Sequence, residues 1–235
     1  SGRKVQPNVR TFNSLLNIWV KHRPTAALPE CKRLIGVMLD LVAKGNASVQ
    51  PDAFTYNILI HAHGVSQDDN AMPQAELIFQ EMYRRFKDGD GRLKPTEHTY
   101  GSLVHGWSKC PHPDAALKAE EGLRWWIERA NSGEVDGRPK VYSFVAAMKA
   151  HATSGNPQAA YKVDALLHLL MQEYKNGNEE ARPNNNVFTT ILQVLEKSPI
   201  PNKSEPAGRI IHLMKQYNVK PDQAKIELLK KCCSS

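Results

Sequence analysis

Cysteine is scarce in this chain. There are four, Cys31, Cys110, Cys232 and Cys233, none in a C-x-x-C arrangement and two of them adjacent. That excludes a disulfide framework and a zinc site as organising features, and a reducing compartment is the simplest expectation. Long apolar runs are absent too: none approaches the ~18–20 residues that span a bilayer, so no membrane partner is expected. Acidic residues are outnumbered, 24 against 31 Lys and Arg, for a net charge of +7. This excess suits a polyanionic partner without demanding one. No catalytic set stands out. Asp68 and Asp69 fall in a turn, where capping explains them, and His61 and His63 are two apart on a helix and face different ways. The expectation is therefore a non-enzyme with no cofactor and no metal. Ser1-Gly2 resembles a cleavage scar, and no signal or transit peptide is visible.

What is abundant is self-similarity. The stretch 49–62, VQPDAFTYNILIHA, recurs as VQPNVRTFNSLLNI from Val5, LKPTEHTYGSLVHG from Leu93, GRPKVYSFVAAMKA from Gly137 and ARPNNNVFTTILQV from Ala181, with a truncated copy from Val219. The prolines stand at 7, 51, 95, 139, 183 and 221, in four steps of 44 and one of 38. A fixed period of this size marks a stacked repeat protein.

Aligned on the prolines, one column is aromatic throughout: Phe12, Tyr56, Tyr100, Phe144, Phe188. Three residues on come Leu15, Leu59, Leu103, Ala147 and Ile191; four on, Leu16, Ile60, Val104, Met148 and Leu192; seven on, Trp19, His63, Trp107, His151 and Leu195. That spacing predicts the buried face of a helix, here helix A, with His63 and His151 buried and hydrogen-bonded. After a polar break, a second helix B carries a small column (Cys31, Ala75, Ala119, Val163, Ala207) and Met38, Met82, Trp126, Leu170 and Met214 seven further on. Trp125 and Trp126 both continue such columns and read as core. Gly45, Gly89, Gly133 and Gly177 fall where a left-handed C-terminal glycine ends helix B. The expected fold is an all-α solenoid of five helical hairpins, with repeats at about 7–50, 51–94, 95–138, 139–182 and 183–220 within 5–221. Residues 221–235 form a capping half-repeat. The fifth repeat is shorter because Met214 to Pro221 is 7 residues where Met38 to Pro51 is 13.

Pro51-Asp52-Ala53-Phe54-Thr55-Tyr56-Asn57-Ile58-Leu59-Ile60, with Ala and Met columns in helix B, resembles the pentatricopeptide repeat family. Lys21, Lys109 and Lys197 near the ends of the A helices, and Gly155, match further family positions. The resemblance recurs five times from about Val5 to Leu229, and it implies a right-handed solenoid. The departure is length, since family repeats run to about 35 residues. The extra residues lie between the helices and after the Met column, away from the start of helix A.

The resemblance implies binding of single-stranded RNA, one base per repeat, along the A helices. Unstacked bases offer hydrogen-bonding edges and flat faces that such a repeat can meet with a few side chains. It further implies that each base meets two residues. One follows the aromatic: Asn13, Asn57, Gly101, Val145 and Thr189. The other follows the next proline: Asp52, Thr96, Lys140, Asn184 and Asp222. Asn13 with Asp52 implies uracil, Asn57 with Thr96 a pyrimidine, and Thr189 with Asp222 guanine, so the site reads U-Y-N-N-G. Gly101 with Lys140 and Val145 with Asn184 match no pairing. Arg10, Phe54, His98, Tyr142 and Asn186, two before each aromatic, stand where the family wedges side chains between bases.

The residues themselves leave other readings open. Asn8, Asp52, Thr96, Asn184 and Asp222 are good helix N-caps. Asn13 and Asn57 lie inside helices, where Asn costs a few tenths of a kcal/mol relative to Ala. Phe54 and Tyr142 either stack on bases or cover the neighbouring repeat. Asn17, His61, His105, Lys149 and Gln193, five after each aromatic, are a polar stripe suited to a phosphate backbone and equally to any solvated face. The H-x-E and P-C-x-x-C signature of the zinc deaminases that accompany some relatives is absent. The leading expectation is an RNA-binding factor of mitochondrial or chloroplast RNA processing, stability or translation, residence being implied by the resemblance alone. The rival is a protein-interaction scaffold in a ribonucleoprotein such as an organellar ribosome, with other proteins as its partners.

Overall fold

A computed structural model describes residues 6–66, 68 and 70–233. Residues 1–5 (with Val5 at the head of the first copy and the Ser1-Gly2 pair), Gln67, Asp69 of the second polar break, and the last two residues of the expected cap lie outside the described residues. Among the described residues there are eleven α-helices and no strand: α1 (Val9–His22), α2 (Pro24–Ala43), α3 (Ala53–Val65), α4 (Ala71–Lys87), α5 (Glu97–Lys109), α6 (Ala115–Asn131), α7 (Val141–Thr153), α8 (Ala159–Lys175), α9 (Asn185–Lys197), α10 (Ser204–Gln216) and α11 (Gln223–Cys233). Odd-numbered helices carry the A pattern and even-numbered ones the B pattern. The all-α repeat architecture is the one the periodicity predicts.

The chain forms two compact units, residues 1–112 and 113–235. In the first, α1 packs on α2 and α3, and α3 on α4 and α5. In the second, α6 and α8 flank α7, α7 packs on α9, and α9 and α10 hold α11. In both, A helices lie side by side, and α2, α4, α8 and α10 each pack against their own A helix and the following one.

Local sequence explains the punctuation. Asn8, Asp52 and Thr96 each open an A helix with a capping box whose return bond comes from Thr11, Thr55 and Thr99. At the end of α2, Gly45 has φ 93°, the Gly45 N–H donates to Val42 O and the Asn46 N–H to Leu41 O, a Schellman closure that a side chain would strain. The residues that lengthen the repeat then form a short 3-10 turn, Ala47–Val49, Gly91–Leu93 or Glu179–Ala181. Each ends on a buried apolar side chain, Val49, Leu93 or Ala181. The added length is thus a small hydrophobic plug ahead of the next A helix. After α10 the chain lacks it and passes from Asn218 (φ 55°) directly toward Pro221.

Three expectations about the core need correction. Leu15 is 43% exposed, whereas Leu59, Leu103, Ala147 and Ile191 in the same column are buried, because among the described residues no hairpin lies on the far side of α1. Trp125 is only half-buried, with the Arg129 guanidinium 4.1 Å over its ring; Trp126 alone is core, donating its indole N–H to Gly137 O at 2.8 Å. His63 is buried as expected, but among the described residues neither ring nitrogen keeps a well-formed hydrogen bond, its nearest polar neighbour being the Ala71 backbone. Burial, then nearby Lys32, lowers its pKa to about 4. His151, in the same column, keeps a 3.0 Å bond from its ring Nε2 to buried Glu120.

Candidate functional site

The site is built where one A helix meets the cap of the next. Asp52 caps α3, accepting the Thr55 N–H at 2.9 Å on Oδ1. Across the seam, Asn13 of α1 donates its Nδ2–H to the same oxygen at 3.2 Å. Thr55 accepts the Asp52 N–H at 3.2 Å and gives its hydroxyl proton to Asn13 Oδ1 at 2.7 Å. Asn13, Thr55 and Asp52 therefore form a closed triangle between α1 and α3. Thr55 is wholly buried and Asn13 only 6% exposed, while Asp52 is half-buried. Asp52 Oδ2 accepts no bond within the triangle.

The next seam repeats the pattern with one change. Asn57 of α3 donates to Thr96 Oγ1 at 3.2 Å, Thr99 accepts the Thr96 N–H at 2.9 Å, and Thr99 donates to Asn57 Oδ1 at 2.6 Å. The cap is now a hydroxyl, which accepts from Asn57 and carries a proton whose nearest acceptor in the seam is Thr99 Oγ1, 3.4 Å away. Chemically the two seams differ. The first presents a carboxylate acceptor, the second a hydroxyl donor.

In the second unit the corresponding residues do not join this way. Val145 of α7 and Val187 of α9 are both buried, so apolar side chains stand where the first unit has an amide and a hydroxyl. Asn184 caps α9 by accepting the Asn186 and Val187 N–H groups. At the last seam Thr189 donates back to Asn185 O at 2.9 Å on its own helix. Asp222 instead takes a bond from Asn185 at 3.3 Å and an ion pair with Lys225, whose side chain is buried. The Lys225 bond is the first cause holding the Asp222 pKa below the usual carboxylate value. Gly101 lies half-buried in α5, and Lys140 precedes α7 without a side-chain cap, 3.8 Å from Glu180. Of the expected pairs, Asn13–Asp52 and Asn57–Thr96 are in direct contact.

The wedge column is uniformly outside. Arg10, Phe54, His98, Tyr142 and Asn186 are all exposed, Phe54 at 51% and Tyr142 at 49%. Phe54 and Tyr142 thus each leave about half of their surface open to solvent. In the polar stripe, His61 and His105 titrate below the ordinary histidine value, chiefly through burial and then through Lys109. Both are neutral at pH 7, so Lys109 supplies the cation there. Their helices nearly touch: a Cβ on Gly64 of α3 would lie 2.9 Å from the Gly106 Cα of α5. Among the described residues no group of three His, Cys, Asp or Glu side chains could hold a metal ion, and no helix is long and apolar enough to cross a membrane.

Sequence reasoning missed the residue before the aromatic: Thr11, Thr55, Thr99, Ser143, Val187 and, in α11, Lys225. The signal was available, since Asn13 and Asn57 precede Thr in the following copy while Val145 precedes Val187.

No known family model matches the chain, and no curated protein matches it in sequence. Among solved structures it is similar to the crystal structure of the pentatricopeptide repeat protein PPR10 from maize, at 20% identity and a TM-score of 0.46. The match covers 96% of this chain and 32% of that one, so the chain spans about a third of its length. By its 44-residue period, its capped A helices and its paired helical hairpins, the chain is an all-α helical-repeat protein.

Proposed function

We propose that this chain binds single-stranded RNA along the starts of its A helices, with base selection concentrated in the first two repeats. One observation carries the reading: in those repeats the two residues that the resemblance pairs are hydrogen-bonded across the seam. Beside them stands an exposed aromatic, Phe54, on the first turn of α3. Base stacking on such a ring contributes ~1–3 kcal/mol.

The chemistry gives each seam a direction. Asp52 Oδ2 is an acceptor and suits the imino N–H of uracil, while it repels the bare ring nitrogen of cytosine. Thr96 offers a proton and suits cytosine at that nitrogen, which makes the expected second pyrimidine C. Thr189 with Asp222 was expected to select guanine; with Asp222 paired to Lys225, the last position contributes less. The proposed preference is U-C followed by three weakly read bases. Residence in a mitochondrion or chloroplast, and a role in organellar RNA processing, follow from the resemblance alone; imaging the tagged full-length protein in cells tests them.

The test of binding is fluorescence polarisation with UCAAG in a poly-A background beside GCAAU, across a salt series. Preference for UCAAG that Asn13→Ala/Asn57→Ala removes supports base reading. Equal, salt-labile binding to both leaves only a basic surface. No binding favours the scaffold role, for which the apolar Val145 and Val187 seam is the motivating observation.

A further inference from the structure

Each seam amide of the first unit accepts a short hydrogen bond from a buried hydroxyl. Thr55 Oγ1 accepts the Asp52 N–H, which turns its O–H away from the cap and toward Asn13 Oδ1 at 2.7 Å. An Asp52 oxygen lies 2.9 Å from the same hydroxyl, but that oxygen already accepts the Thr55 and Asn13 N–H groups. With Oδ1 facing the hydroxyl, Asn13 must face the carboxylate with its Nδ2. A flipped amide would put oxygen against carboxylate. At the second seam Thr96 could donate or accept, so the cap alone does not choose the amide's orientation. Thr99 chooses it: Oγ1 accepts the Thr96 N–H at 2.9 Å and donates to Asn57 Oδ1 at 2.6 Å, leaving Nδ2 to donate to Thr96.

We infer that Thr55, acting together with the Asp52 carboxylate, and Thr99 are positioning residues for base selection: they fix which face of the Asn13 and Asn57 amides, and hence which hydrogen-bonding group of the neighbouring cap, is left for the base. The inference rests on the RNA-binding reading above and names residues outside its base-contacting pairs. Neither threonine meets a base, since both are wholly buried. The variation between repeats supports a coupled unit, with Asn followed by Thr in the next copy and Val followed by Val. Where Lys225 takes the threonine's place, it ties up the cap itself.

At each seam the threonine also completes a capping box, so a purely structural role predicts lower stability with base preference unchanged. The experiment separates the two with the intact chain and a panel of five-base RNAs varied at the first or second position. Thr55→Val is expected to reduce preference at the first position at least fivefold while preference at the second and the salt slope stay the same. Thr99→Val should do the reverse, and Thr55→Ser and Thr99→Ser should keep wild-type preference because they keep the proton. Side-chain amide NMR of the RNA-free protein runs beside it, with the Asn13 amide protons expected to lose exchange protection in Thr55→Val. Lost protection with unchanged base preference overturns the positioning role and leaves the binding reading intact. A wild type with no base preference at any position overturns both. Equal loss at both positions from either variant, with lowered thermal stability, marks a folding effect and overturns the assignment.

Discussion

The two units solve one problem, joining consecutive A helices, with opposite chemistry. In residues 1–112 the seams are polar: Asn13 with Thr55 and Asp52, Asn57 with Thr99 and Thr96. In residues 113–235 the corresponding positions on α7 and α9 are the buried Val145 and Val187, and the seam at α11 is a buried lysine on an aspartate. A polar seam is directional and leaves unused donors and acceptors at its rim. An apolar seam holds as well and leaves none. The first unit therefore has groups with which to select a ligand, and the second contributes chiefly exposed Tyr142 and charge.

The histidine column shows the same divergence and should give the largest effect. Among the described residues His63 has no side-chain hydrogen-bond partner, and its pKa falls to about 4; His151 has Glu120. Because the folded pKa of His63 lies below the unfolded value, its stabilising contribution is complete above about pH 6.5 and is lost as pH falls toward 4. Full protonation costs the first unit about 3 kcal/mol. His151 is also lowered by burial, but the Glu120 carboxylate opposes that shift, so its slope has the same sign and is shallower. Denaturant melts of the intact chain from pH 7 to 4, followed by hydrogen exchange in each unit, check this. His63→Leu, the residue that Leu195 supplies in the last repeat, should flatten the first unit's response; an unchanged slope would break the contrast.

Backbone approach comes next. Gly64 and Gly106 let α3 and α5 touch, whereas the position equivalent to Gly64 in the second unit is Ala152, half-buried. Gly64→Val should cost about 2 kcal/mol, as overpacking against a backbone does, and Ala152→Val well under about 1 kcal/mol. Equal shifts in chemical denaturation would show that the glycines serve no close contact.

The seams themselves can be exchanged. Val145→Asn alone buries an amide against Val187 and should cost about 1–3 kcal/mol. Adding Val187→Thr supplies the missing hydroxyl, and the double-mutant cycle should show a favourable coupling of about 1 kcal/mol. Additivity would mean that the amide–hydroxyl bond does not depend on the pairing. The last exchange is Lys225→Thr, which releases Asp222 from its ion pair. Its readout is discrimination at the fifth base, which should rise if the ion pair is what silences that position.

Much of this was legible in the chain because a 44-residue period multiplies every weak signal by five. Helix A, its caps, its aromatic column and the Gly45-type endings are local, set by backbone geometry within one copy, and the sequence alone determines them. It also brought out Asn13 with Asp52, two residues 39 apart, through resemblance. What only the tertiary structure decided depends on neighbours across a seam. The exposure of Leu15, the poorly satisfied imidazole of His63 and the half-burial of Trp125 come from what packs against each helix, which a column of similar residues does not state. The same holds for the threonines. Within one copy Thr55 is a capping residue, and only the packing of α3 against α1 puts its proton 2.7 Å from the Asn13 amide oxygen. Hydrogen bonds need partners at a set distance and angle, and those are properties of the assembled helices.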